Sequence, residues 1–205
     1  VLDVVIKGHE RLFEVMKEKD EIYMKPDFSD EDGIRAAELE GEFAEMNGWN
    51  AEADAASLLS GLGITPDLHD KQMSELENNQ KVKVLLAQSL FGDPDVLLLD
   101  EPTNHLDMET TQWLESYLNY FNGAIVIISH DRYFLDKIVT QIYDVALGDV
   151  KRYVGNYEQF ITQHDKYYEL RMQEYEKQQE EIKRLETFVE KNITRASTSG
   201  MAKSR

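Results

Sequence analysis

Two neighbouring carboxylates follow a short apolar run in this chain. Asp100 and Glu101 come directly after Val96 to Leu99, in the stretch VLLLDE. Such a run suits a strand buried on both faces, and ligands of open α/β sheets bind beyond the carboxyl ends of the strands. An aspartate there can hold Mg²⁺ through water, and a second carboxylate beside a metal–phosphate site can orient and deprotonate an attacking water. Without further context, the pair would more simply cap the strand.

A second apolar run, Ala124 to Ser129, ends next to His130. The stretch AIVIIS predicts another buried strand, and a helix is expected between the two strands. Strands that alternate with helices indicate a parallel sheet. A lone histidine after an apolar strand more often caps or packs than binds a ligand, so a functional role for His130 needs support from its surroundings.

The flanking segments predict helices before these strands, and a hairpin and a long helix after them. No strand-like alternation occurs before residue 90, and Ser29 followed by Glu31 and Asp32 suits a helix start. The hairpin is expected to turn at Gly148-Asp149, and the last helix, about 55 Å long, to project or fold back. The expected helices span about 30–46, 51–62, 79–91, 108–121, 131–140 and 156–192, and the hairpin spans 141–155.

The composition favours a globular protein whose negative charge repels nucleic acids. The 205 residues have a net charge of −18, so nucleic-acid binding is not the first function to expect. The basic tail 193–205 contains Arg195, Lys203 and Arg205 without an acid, so any contact with nucleic acid is expected there, although a solvated flexible end fits equally well. No apolar run approaches the about 18 residues of a membrane span. The absence of cysteine fits a cytoplasmic location.

Two of these segments together resemble a known family. LLLDEPTNHLD, ending at Asp107, is similar to the Walker B and D-loop segment of ATP-binding-cassette (ABC) ATPases, and IISHDRYFLD, 127–136, to their switch-histidine segment. EPTNHLD followed by SHDRYFLD resembles the soluble F subfamily, whose members act on ribosomes. GNYEQFITQHDKYYELR, 155–171, resembles the start of the helical linker between the two cassettes of that subfamily.

The resemblance implies a role for each matching residue. Asp100 would bind Mg²⁺ through water and Glu101 would be the general base. His130 would contact the γ-phosphate of ATP and hold the attacking water, and Asp107 would be the D-loop acid that takes part in ATP binding at the cassette interface. ATP and Mg²⁺ would be the cofactors of the full-length protein.

The implied fold is an α/β P-loop NTPase sheet that is incomplete in this chain. Residues 1–75 would form the helical subdomain, 76–155 the C-terminal part of the ATP-binding core, and 156–205 the linker helix with its basic tail. The phosphate-binding pattern G-x-x-x-x-G-K-[ST] does not occur in the 205 residues. In the family it lies upstream of the helical subdomain, so we expect a fragment with exposed apolar sheet faces that does not hydrolyse ATP alone.

The signature segment of the family also differs in this chain. Where the family has L-S-G-G-Q, the sequence reads Leu76, Glu77, Asn78, Asn79, Gln80. Glu77 would place a carboxylate near the phosphate bound by the opposite cassette. The asparagines add side chains where glycine permits close approach, although asparagine can adopt a left-handed conformation and donate hydrogen bonds. We expect this degenerate signature to contribute less to ATP binding.

Three functions are consistent with the sequence. The first is part of an F-subfamily translation factor, whose partners would be its second cassette and the ribosome, with the linker approaching rRNA and the P-site tRNA, and no membrane. The second is a non-catalytic module that binds a partner through the long helix. The third is the nucleotide-binding subunit of an ABC transporter. An isolated fragment is further expected to form a homodimer or a domain swap.

Overall fold

A computed structural model describes residues 1–146 and 148–192. It divides into two compact units, Val1–Phe134 and Leu135–Arg205, which are considered separately below. The basic tail with Arg195, Lys203 and Arg205 lies outside the described residues, as does Leu147. The domain boundaries at 75 and 155 remain predictions.

The first unit is mainly helical before its strands, as the sequence predicts. Its long helices begin and end within about two residues of the expected positions, and a last helix, α7, spans Arg132–Ile138 across the division between the units. The helices are α1 Leu2–Ile6, α2 Glu10–Tyr23, α3 Asp30–Glu45, α4 Ala51–Gly61, α5 Asn78–Leu90 and α6 Met108–Asn119.

Helix α3 begins where the sequence predicts, because Ser29 and Asp32 cap it reciprocally. Oγ of Ser29 accepts the N–H of Asp32 at 3.1 Å, and the N–H of Ser29 donates to Asp32 at 3.0 Å. Each bond satisfies a backbone donor that a helix start leaves unpaired. The Lys25 ammonium, with these Ser29 bonds, lowers the pKa of Asp32 to about 2.

The core of the first unit lies among its helices. Leu12 and Val15 of α2 pack in one apolar cluster with Leu39 of α3, and all three are at most 2% exposed. At the rim, Arg11 and Arg35 form ion pairs with glutamates of the facing helix, which orient α2 against α3. The whole buried cluster comprises Val5, Ile6, Leu12, Val15, Ile22, Ala36, Leu39, Phe43, Ala51, Ala55, Leu59, Leu62, Ile64, Leu76, Val84, Ala87 and Phe91.

The two predicted strands form a parallel pair, which confirms the α/β class. β1 spans Val96–Asp100 and β2 spans Ala124–Ile128, with Asp100 opposite Ile128. The expectation of burial on both faces is wrong, because Leu97 and Leu99 are 2% and 6% exposed whereas Leu98 is 74% exposed. Within the described residues this sheet has two strands, and only one of its faces is covered. The expected open apolar face is therefore present.

The second unit contains the predicted hairpin and the long helix. β3, Gln141–Ala146, pairs antiparallel with β4, Asp149–Val154, and α8 spans Tyr157–Asn192. Asp149 already belongs to β4, whereas the prediction placed it in the turn, and Gly148 has a φ of +82°. The ring of Tyr153 lies 5.1 Å from that of Phe160, which packs the hairpin against the start of α8.

Candidate functional site

Glu101 and His130 meet at the carboxyl ends of β1 and β2. Because the strands are parallel and in register, both chains leave the sheet at the same edge. The N–H of Glu101 donates to the carbonyl of Ile128 at 2.7 Å, and its Oε2 accepts the N–H of His130 at 3.3 Å. Oε1 of Glu101 lies 3.6 Å from Nε2 of His130. The fold thus brings together the two residues predicted to be catalytic.

The backbone leaves the strand sharply at Glu101, which has a φ of +47°. A positive φ is uncommon for a residue with a side chain, and such residues occur at turns and functional sites. The side chain of Glu101 is 24% exposed, whereas that of His130 is 98% exposed. A carboxylate partly shielded from water therefore lies beside an imidazole that a ligand can reach.

Asp100 is the exposed last residue of β1 and directly precedes Glu101. Among residues 1–146 and 148–192, no three His, Asp or Glu side chains are grouped closely enough to hold a metal ion by themselves. Mg²⁺ commonly uses one or two carboxylates, with water and substrate phosphates completing its shell. An exposed aspartate at this sheet edge fits that mode of binding.

Asp107 has a structural environment that the sequence analysis did not anticipate. It caps α6, since its Oδ1 accepts the N–H of Thr110 at 2.8 Å, and its Oδ2 lies 3.0 Å from Nζ of Lys83. The bond from Thr110 and the Lys83 ammonium hold the pKa of Asp107 well below its usual range. The sequence analysis did not identify Lys83. A lysine between Val82 and Val84, followed by further apolar residues, was a sign that a charged side chain is buried there.

The degenerate signature lies at the start of α5. Glu77 is extended and precedes the helix, which begins at Asn78, one residue earlier than predicted. Asn78 and Asn79 are helical, so they do not use the left-handed conformation considered for them. The N–H of Glu77 donates to Oε1 of Gln80 at 3.0 Å, and the N–H of Gln80 donates to Oδ1 of Asn79 at 2.8 Å. Some donors of this helix start are thus already paired.

Comparison with known protein families identifies the class of this domain. Two family models, both described as ABC transporter, match residues 5–104 and 143–205. The chain therefore contains sequence of an ABC-type ATP-binding cassette domain. In the described part of the chain, no helix is long and apolar enough to cross a membrane.

Individual relatives belong to the same class. The chain is 58% identical over 205 residues to the ABC transporter ATP-binding protein YkpA of Bacillus subtilis, which it covers to 38%. It is 45% identical over 205 residues to the probable ATP-binding protein YbiT of Escherichia coli O157:H7, which it covers to 39%. In both cases the match includes 100% of this chain. The chain thus spans well under half the length of these relatives.

Among solved structures, similarity extends to a dimeric ATP-binding cassette in a post-hydrolysis state, bound to ADP and Pi. The TM-score is 0.44 at 24% identity, with 52% of this chain and 48% of the other covered. A component of an ABC transporter complex from Clostridium perfringens matches with a TM-score of 0.43 at 25% identity, over 60% of this chain and 50% of that one.

Proposed function

We propose that this chain supplies the general base and the water-positioning histidine for ATP hydrolysis by a longer protein. The observation that supports this most directly is the contact of Glu101 with His130 at the carboxyl edge of a parallel sheet. Ligands of open α/β sheets bind at that edge. The family match and the Asp-Glu pair at the strand end agree with this proposal.

In this proposal the side chains have distinct tasks. The carboxylate of Glu101 accepts the proton of the attacking water, because it is partly shielded and held by the N–H of His130. The exposed ring of His130 orients that water toward the terminal phosphate. Asp100 would hold Mg²⁺ through water, and the ion, when bound, offsets the negative charge of the phosphates.

The test is ATP turnover by the full-length protein with Glu101→Gln. Removing a general base should lower kcat by roughly 10²- to 10⁴-fold while ATP binding is kept. Glu109→Gln is the matched control, because Glu109 is an exposed glutamate in the first turn of α6. If Glu101→Gln turned over ATP as the unaltered protein does, Glu101 would not be the base.

We further propose that the full-length protein is an F-subfamily translation factor that acts on the ribosome. Supporting this are the EPTNHLD and SHDRYFLD segments and the uninterrupted α8, 36 residues long, which resembles the inter-cassette linker. The partners would be a second cassette of the same protein and, through the linker, rRNA and P-site tRNA. We expect the full-length protein to sediment with ribosomes when cell extract is separated on a sucrose gradient. The association should be stronger when ATP is present and Glu101 is replaced by Gln.

Two alternatives have observations of their own. The family description ABC transporter favours a transporter's nucleotide-binding subunit, and sedimentation with membranes instead of ribosomes would identify it. Large exposed side chains along α8, including Tyr168 and Tyr175, favour a partner-binding module that hydrolyses nothing. An unaltered full-length protein that neither binds nor hydrolyses ATP would favour the module.

A further inference from the structure

Lys83 of α5 is a buried lysine whose side chain contacts the start of α6, and a contribution to stability alone does not explain it well. The residue is 8% exposed, and its Nζ lies 3.0 Å from Oδ2 of Asp107 and 3.2 Å from Oγ1 of Thr110. The Asp107 side chain is 62% exposed, so it offers the buried ammonium only a solvent-screened partner. Apolar residues often replace buried ion pairs without loss of stability. A lysine at this position therefore suggests a requirement for this particular link.

The link joins two segments that would each contact nucleotide in the proposed function, the signature segment at the site of the opposite cassette and the catalytic loop at the site of this chain. Lys83 lies one helical turn after Gln80, at the start of α5, and Asp107 ends the loop that Glu101 begins. Both oxygens of Asp107 are engaged, Oδ1 by the N–H of Thr110 and Oδ2 by Lys83. One side chain thus connects the signature segment, 77–80, with the catalytic loop, 101–107.

The backbone after α4 restricts the freedom of Lys83. A Cβ atom added to Gly63 would lie 3.3 Å from Nζ of Lys83 and 3.4 Å from Oγ1 of Thr110. Gly63 also has a φ of +76°, which disfavours any side chain there. The backbone of Gly63 therefore packs close to the ammonium as well as to Thr110, so we expect a shift of either segment to be passed to the other.

We propose that Lys83 is a positioning residue that makes the signature segment and the catalytic loop respond together to bound nucleotide. The inference rests on the proposed ATPase function and adds the coupling of its two segments. It does not require that Lys83 touch the nucleotide. The ion pair of Lys83 with Asp107 would pass a movement of the signature segment to the catalytic loop. The bond from the N–H of Thr110 to Asp107 keeps that loop attached to the start of α6.

The test is amide hydrogen exchange of the full-length protein with and without a non-hydrolysable ATP analogue and Mg²⁺. In the unaltered protein, both the signature segment and the catalytic loop should gain protection. In Lys83→Met the signature segment should keep its gain while the gain of the catalytic loop falls several-fold, and Lys83→Arg should restore part of it. Lys81→Met is the matched control, with the same charge change two residues away on α5.

Each result has a distinct meaning. Equal protection of both segments in Lys83→Met would overturn the coupling. No protection in the unaltered protein would instead contradict the nucleotide site itself. If Lys83→Met fails to fold, Asp107→Asn replaces it, because asparagine still caps a helix well while losing the charge that pairs with Lys83. Protection of the catalytic loop that is unchanged in Asp107→Asn would also overturn the proposal.

Discussion

The backbone N–H of His130 donates a hydrogen bond to the carboxylate of Glu101, although the two residues lie 29 positions apart in the chain. Two parallel strands produce this contact, since each residue follows its strand at the same edge of the sheet. The same contact places the imidazole next to the carboxylate, at 3.6 Å. In the proposed function, this geometry places a proton acceptor beside a polar group that can orient an attacking water.

His130→Ala should lower ATP turnover of the full-length protein while leaving its fold intact. The ring is 98% exposed, so its removal costs little packing, and what is lost is its contact with Glu101 at 3.6 Å and its proposed contact with ATP. We expect kcat to fall roughly 10²-fold or more, with circular dichroism unchanged. His105→Asn is the control, because His105 is exposed and has a φ of +67°, which asparagine tolerates. Similar losses from both variants would contradict a specific role for His130.

Replacing Glu77, Asn78 and Asn79 with Ser, Gly and Gly in the full-length protein should strengthen ATP-driven association of its cassettes. The change removes a carboxylate from the start of α5 and frees for a phosphate the N–H of Gln80, which donates to Oδ1 of Asn79. Analytical ultracentrifugation or small-angle scattering with and without ATP measures the effect. If the replacement left unchanged the ATP concentration needed for the cassettes to associate, the degenerate signature would not weaken ATP binding.

Asp32→Asn should make stability less dependent on pH in the acid range. The pKa of Asp32 is lowered from 3.8 to about 2 in the folded chain, chiefly by Lys25 and Ser29. Its stabilising contribution is therefore complete above about pH 4 and is lost as the pH falls toward 2. Thermal unfolding between pH 5 and 2 should show a shallower decline for the variant. Asp27→Asn is the control, and an identical decline in Asp32→Asn and the unaltered chain would contradict the assignment.

Gly61→Ala and Gly41→Ala should have opposite effects on stability. A Cβ on Gly61 would lie 2.1 Å from the ring of Trp113, so the indole or the end of α4 must shift. Gly41 has nothing within 4 Å of such a Cβ and lies within α3, where alanine favours the helix by about 0.5–1 kcal/mol. Chemical denaturation should show a lower midpoint for Gly61→Ala and a slightly higher one for Gly41→Ala. Equal midpoints would contradict the packing at Trp113.

Much of the fold could be predicted because its signals are local. The capping residues Ser29 and Asp32 mark the start of α3, and the unbroken pattern after Asn156 marks α8. Apolar run lengths also identified both strands. Burial was predicted wrongly at Leu98, because a continuous apolar run shows that a strand can be covered on both faces but not which neighbours are present to cover it.

The sequence by itself determined the elements and the parallel sheet, since these follow from hydrophobic period. It also identified the candidate base and histidine, through the resemblance of their motifs to those of a known family. Only the tertiary structure decided which side chains meet. The contact of Glu101 with His130 depends on strand register. The link of Lys83 to Asp107 depends on the packing of α5 beside the start of α6. Such contacts join residues distant in sequence, and no local pattern encodes the distance between them.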